Sequence, residues 1–82
     1  MRIDKFLNTT NILKRRSLAQ DLIAHKLVSI NGVIVKSSRA VKVGDIVEIK
    51  FLEYTKKYKI LEIPQSKTIP KNAKNLFFEE IF

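Results

Sequence analysis

The 82-residue chain has no cysteine, so neither a disulfide nor a thiolate metal ligand can supplement its core, which fits a reducing compartment. Glycine and proline occur only twice each, while 45% of residues are hydrophobic and 29% charged, the composition of one ordered domain and not of a disordered tail. His25 is the single histidine and has no second ligand type at metal-binding spacing; late in a helix it suits the helix dipole better than a metal. Neither Gly32 nor Gly44 is followed by the second glycine or the lysine of a phosphate loop. No nucleophile stands with a base. The chain therefore reads as non-catalytic, with no cofactor and no metal site. No stretch approaches the roughly 18 apolar residues of a membrane-spanning helix. The segment Met1-Arg2-Ile3-Asp4-Lys5 lacks the apolar run of a secretory signal. A cytoplasmic monomer without a membrane partner is expected.

Acidic residues are also scarce: 16 Lys and Arg face 8 Asp and Glu, a net charge of +8 and a pI near 10.0. The imbalance sits in the first half. Residues 1–42 hold nine bases and two acids, Asp4 and Asp21, for a net of +7, whereas residues 43–82 hold seven bases and six acids, a net of +1. A concentrated positive field points to a polyanion, because neutralising phosphates releases condensed counterions whatever the sequence.

Periodicity supplies the scaffold. Ile3, Phe6 and Leu7 fall at i, i+3 and i+4 and predict a short helix that ends in Asn8-Thr9-Thr10-Asn11. Ser17 with Gln20 three residues later matches a capping box, so a second helix is expected from about Leu18, with Leu18, Ala19, Leu22, Ile23 and Leu27 as its apolar positions. From Val28 the period becomes two. Asn31-Gly32 between Val28-Ser29-Ile30 and Val33-Ile34-Val35 predicts a type I′ hairpin. Val43-Gly44-Asp45 predicts a turn before the strand Val47–Phe51, and Tyr58–Ile63 reads as a further strand that stops at Pro64. The expected fold is α+β: two N-terminal helices packed on a small antiparallel sheet across residues 1–63. A linker and tail follow over 64–82, with a terminal helix from Ala73 to Phe82 whose apolar residues pack internally.

Cations crowd the start of the second helix, where the dipole makes them unfavourable by about 0.3–1 kcal/mol each. Arg2 and Lys5 are predicted on one side of the first helix, and Lys14, Arg15 and Arg16 precede the second. Guanidinium groups and free helical N–H groups there can converge on one phosphate. Asp4, alone among these bases, reads as a partner for a nearby cation or for first-turn N–H groups in preference to a general acid.

Arg2-Ile3-Asp4-Lys5-Phe6-Leu7, Lys14-Arg15-Arg16-Ser17-Leu18-Ala19, Val28-Ser29-Ile30-Asn31-Gly32, Lys36-Ser37-Ser38 and Val43-Gly44-Asp45 occur in that order. Together they resemble the S-four RNA-binding domain, or alpha-L RNA-binding motif, over residues 2–51. Within that family the chain is similar to the short, stand-alone, ribosome-associated members. The resemblance implies an alpha-L fold that docks on structured RNA. It implies binding to ribosomal RNA of the large subunit that carries obstructed peptidyl-tRNA, with contacts to the tRNA, in ribosome quality control or recycling. By motif position, Arg2, Lys5, Arg15 and Arg16 would meet RNA phosphates, and Lys14 joins them as part of the same basic run. Asn31, Lys36, Ser38 and Arg39 would approach from the sheet side, and Asp4 would orient a neighbouring base. Family members often have proline after the lysine of that loop, where this chain has Ser37.

Two other classes compete for the same charge. A DNA-binding helix-turn-helix protein needs a turn of three or four residues, shorter than the gap from Leu7 to Ser17. A peripheral binder of anionic membranes needs exposed large apolar residues on one basic amphipathic helix, whereas the apolar stripes here are short and needed for the core.

Overall fold

The computed structural model describes residues 1–65 and 76–81. Two helices, α1 (Ile3–Thr9) and α2 (Arg16–Ala24), precede β1 (Val28–Ile30), β2 (Val33–Ile34), β3 (Ile46–Lys50), β4 (Thr55–Ile60) and β5 (Phe78–Ile81). The strands form one antiparallel sheet in the order β2-β1-β3-β4-β5. Ile3, Phe6 and Leu7 from α1 and Ala19 and Ile23 from α2 share one buried cluster with Val28, Ile30, Val47, Ile49, Tyr58 and Ile60 of the sheet. This is the expected α+β arrangement, two N-terminal helices packed on an antiparallel sheet. Among the described residues no helix is long and apolar enough to cross a membrane.

α1 follows the apolar spacing, and all three of its stripe residues are fully buried. It stops where the Thr10 hydroxyl donates to the Phe6 carbonyl at 2.7 Å and Asn11 turns to φ +62°. Arg2 lies just outside the helix as its N-cap, so Arg2 and Lys5 do not share a helical face as expected.

α2 departs from expectation at its start. It begins at Arg16, and no side chain caps it. Ser17 lies inside the helix and is exposed, while the Gln20 amide donates to Asp4 Oδ2 at 3.1 Å. The buried carboxylate has a stronger claim on that amide than an N–H that water can reach. Leu18, expected in the core, is 42% exposed. The end of α2 is a Schellman motif: Leu27 N–H donates to Leu22 and Lys26 N–H to Ile23, each at 3.0 Å. Lys26 carries the left-handed φ of +62° that this motif usually gives to glycine.

The hairpin forms as the Asn-Gly pair predicts. Ile30 pairs with Val33, and the two turn residues have φ of +52° and +85°. The second glycine is in a β-turn, Asp45 N–H donating to Lys42 O at 3.1 Å, with Gly44 at φ +93° as a type II turn requires. Asn31 joins the two turns: its amide donates to Asp45 Oδ1 at 3.2 Å and accepts from Ile46 N–H at 3.0 Å.

β3 and β4 each begin before their expected first residue, at Ile46 and Thr55, and β4 ends at Ile60 and not Ile63. The expected terminal helix is overturned at Phe78–Ile81, which pair with Lys57–Ile60 as a strand. The edge of β4 offers unpaired backbone groups that a helix cannot satisfy. Across this register Lys56 Nζ meets Glu80 Oε1 at 2.8 Å, and the Tyr58 and Phe78 rings pack edge to face at 5.6 Å. The pairing takes in residues beyond the boundary expected after residue 63. Residues 66–72 of the expected linker, and residues 73–75 and 82 of the expected helix, lie outside the described residues.

Candidate nucleic-acid interface

Asp4 is the hub of the basic face. It lies in the first turn of α1 with no solvent exposure. Its Oδ1 accepts the Lys5 N–H at 2.8 Å, and its Oδ2 accepts Arg2 Nη2 at 3.3 Å, Arg16 Nε at 3.3 Å and Gln20 Nε2 at 3.1 Å. One carboxylate thus fixes the cation that precedes α1 and the cation that opens α2. Each arginine side chain stays about half exposed, at 49% for Arg2 and 44% for Arg16. Arg16 uses only Nε on Asp4, so the donors of its two terminal nitrogens are left to an anion. The anion that makes a cation tolerable at the start of α2 is in part internal.

Burial pushes the Asp4 carboxyl up, but the bonds from Gln20, Lys5 N–H and Arg16 outweigh it and hold it below its usual 3.8. A lowered folded-state value contributes stability that is present above 3.8 and lost as pH falls through the lowered value. Unfolding midpoints measured from about pH 5 to about pH 2 are expected to fall less steeply in Asp4→Asn than in the native chain.

The second wall is the loop after β2. Arg2 and Ala40 form an antiparallel bridge, with Ile3 N–H donating to Arg39 O at 2.8 Å and Val41 N–H to Met1 O at 2.9 Å. Arg2 also donates from Nε to Ser37 O and from Nη2 to Ser37 Oγ, both at 3.4 Å. The serine hydroxyl is an acceptor that proline would not provide. Lys36, Ser38 and Arg39 are exposed on this turn, closed by Arg39 N–H to Lys36 O at 3.0 Å. Lys14 and Arg15, exposed, precede Arg16 directly, and Lys5 follows Asp4 in α1. Among the described residues none of these five cations is ion-paired with an acid.

Asn31 stands apart. It occupies the turn at the opposite end of the hairpin from Lys36, and its side chain is engaged by Asp45 and Ile46. Gln20 and Ser37 belong to the cluster but are not marked by charge in the sequence. Gln20 reads as a cap residue, and the only hint of Ser37 is its place beside Lys36. His25 sits at the end of α2 with Nδ1 2.7 Å from the Asp21 carbonyl, which can only accept, so that nitrogen carries the proton.

A family model described as the S4 domain matches residues 1–47. The chain is 40% identical over 77 residues to the RQC P-site tRNA stabilizing factor of Helicobacter pylori strain J99, a match that covers 94% of this chain and 92% of that protein. The protein of the same name from Streptococcus pneumoniae is 39% identical over 66 residues, covering 80% and 75%. Among solved structures, trimeric heat shock protein 15 of Vibrio cholerae superposes with a TM-score of 0.87 at 25% identity, covering 99% of this chain and 81% of that one. A hypothetical protein determined in solution gives 0.86 at 38% identity, covering 100% and 98%. The shared backbone, the matched first 47 residues and the near full-length relatives agree with the cation cluster: the chain belongs to the S4-domain family.

Proposed function

We propose that this chain is a non-catalytic RNA-binding factor of ribosome-associated quality control. It docks as a cytoplasmic monomer on ribosomal RNA of the large subunit that carries obstructed peptidyl-tRNA, with the tRNA as a second contact. The observation that carries the reading is the Arg2–Asp4–Arg16 hub, which aims two guanidinium groups outward beside the Lys14-Arg15 and Lys36–Arg39 segments. Fixed cations placed at phosphate-contacting positions give register on a folded RNA, which mobile surface lysines do not. Membership of the S4 family supports RNA as the polyanion. The name borne by the relatives supports the P-site tRNA as the neighbour.

Co-sedimentation tests this directly. Large subunits that carry peptidyl-tRNA are expected to retain the protein better than empty subunits, duplex DNA or anionic vesicles. Retention by DNA or vesicles alone would overturn the proposal in favour of the competing classes. Arg16→Ala is expected to weaken binding to ribosomal RNA about tenfold and to reduce the slope of log affinity against log salt by about one, because one fewer phosphate is neutralised. Unchanged affinity and slope would remove Arg16 from the interface.

A further inference from the structure

A groove of about 470 Å³ runs along α2 toward the loop after β2, within the roughly 300–1,000 Å³ typical of small-molecule clefts. Its apolar walls are Ile23 and Ala24 on one side and Ile34 on the other, and Lys26 and Lys36 stand on it as cations. It opens from the cation cluster. Gln20 and Ser37 line its near end, and these same residues bond to Asp4 and receive the Arg2 guanidinium. Ile34 is 57% exposed, an apolar side chain left in water beside two lysines.

Lys26 supplies an independent observation. It holds φ +62° at the position after the α2 C-cap, where glycine would be unstrained. A lysine kept in a left-handed conformation costs about 1 kcal/mol of backbone energy, the kind of strain that gathers where a side chain is needed.

We propose that this groove receives one unpaired base of the bound RNA, with the Ile23, Ala24 and Ile34 surfaces against the face of the base and Lys26 and Lys36 on the flanking phosphates. The inference rests on the RNA-binding reading above and deepens it. Phosphates held by Arg2 and Arg16 fix the strand at the mouth of the groove, and an unstacked nucleotide next along that strand has apolar surface to cover. A fully paired stem presents no such base. The hub therefore gives affinity for any RNA backbone, and the groove gives preference for a bulge or loop.

Two hairpin RNAs of the same stem test the inference, one with a single unpaired adenosine and one with an abasic unit at that position. The native chain is expected to bind the adenosine hairpin about tenfold more tightly, the order given by covering one or two apolar groups. Ala24→Leu, which fills the groove from an exposed helical position, is expected to abolish this preference while leaving affinity and salt slope on the abasic hairpin unchanged. Ile34→Ser, which strips the opposite wall, is expected to do the same. Equal binding of the two hairpins by the native chain, or a preference that survives both variants, overturns the groove assignment and leaves RNA binding standing. Failure to bind either hairpin overturns the RNA-binding reading, and the groove assignment with it.

Discussion

Replacing Asp4 by asparagine is expected to weaken RNA binding about tenfold even though it makes the chain more positive by one charge. If net charge decided affinity, the variant would bind more tightly. Asp4 instead decides where the charge is, since its Oδ2 accepts from Arg2, Arg16 and Gln20 together. An asparagine has one acceptor oxygen and one amide group. Whichever way it turns, it either loses the Lys5 N–H bond or sets donors against donors. The expected loss of stability is about 1–3 kcal/mol, because the carboxylate is buried while its two arginine partners are half in solvent. Thermal unfolding and an RNA titration well below the variant's melting point separate the two effects. An affinity that rises with the added charge would show that the positions of Arg2 and Arg16 do not matter.

The second large effect is expected at the hairpin. Asn31-Gly32→Ala-Ala should lower the melting temperature by roughly 10–25 °C, since a domain of this size loses about 4–8 °C per kcal/mol. Both residues hold positive φ, +52° and +85°, where alanine costs about 1–2 kcal/mol each. A Cβ added at Gly32 would meet nothing within 4 Å, so its cost is conformational and not a clash. At Asn31 the substitution also removes the amide bonds to Asp45 and Ile46 that tie the two turns together. Gly32→Ala alone and Asn31→Ala alone apportion the loss between dihedral strain and side-chain bonding. A melting temperature unaffected by the double change would contradict the type I′ turn.

What could be read from the sequence was what depends on near neighbours. Ile3, Phe6 and Leu7 announce α1 because helical spacing and burial coincide there. Asn31-Gly32 announces the hairpin because few residue pairs adopt its dihedral angles. The misreadings share one cause, competition from distant groups. Ser17 and Gln20 fit a capping box locally, yet Gln20 is drawn to a carboxylate 16 positions away. Asp4 reads as the partner of a nearby cation or of first-turn N–H groups and is both, but its full burial depends on α2 closing over it and has no local signal. Phe78–Ile81 lack clear alternation, and the free edge of β4 makes them a strand. The cations of the proposed interface stand out by charge, but the tie that one carboxylate makes between Arg2 and Arg16 does not. The groove beside α2 has no signature in composition because its walls come from elements ten or more residues apart.

The hub on Asp4 exists only once α1 and α2 have docked. An unfolded chain has the same charges but no fixed array of them, so occupation of the array and folding are thermodynamically linked. At a ligand concentration one hundred times the dissociation constant, the folded state gains about 2.7 kcal/mol. Away from its RNA, then, this small domain is the form most open to proteases, and turnover in the cell would fall on molecules that have nothing to hold.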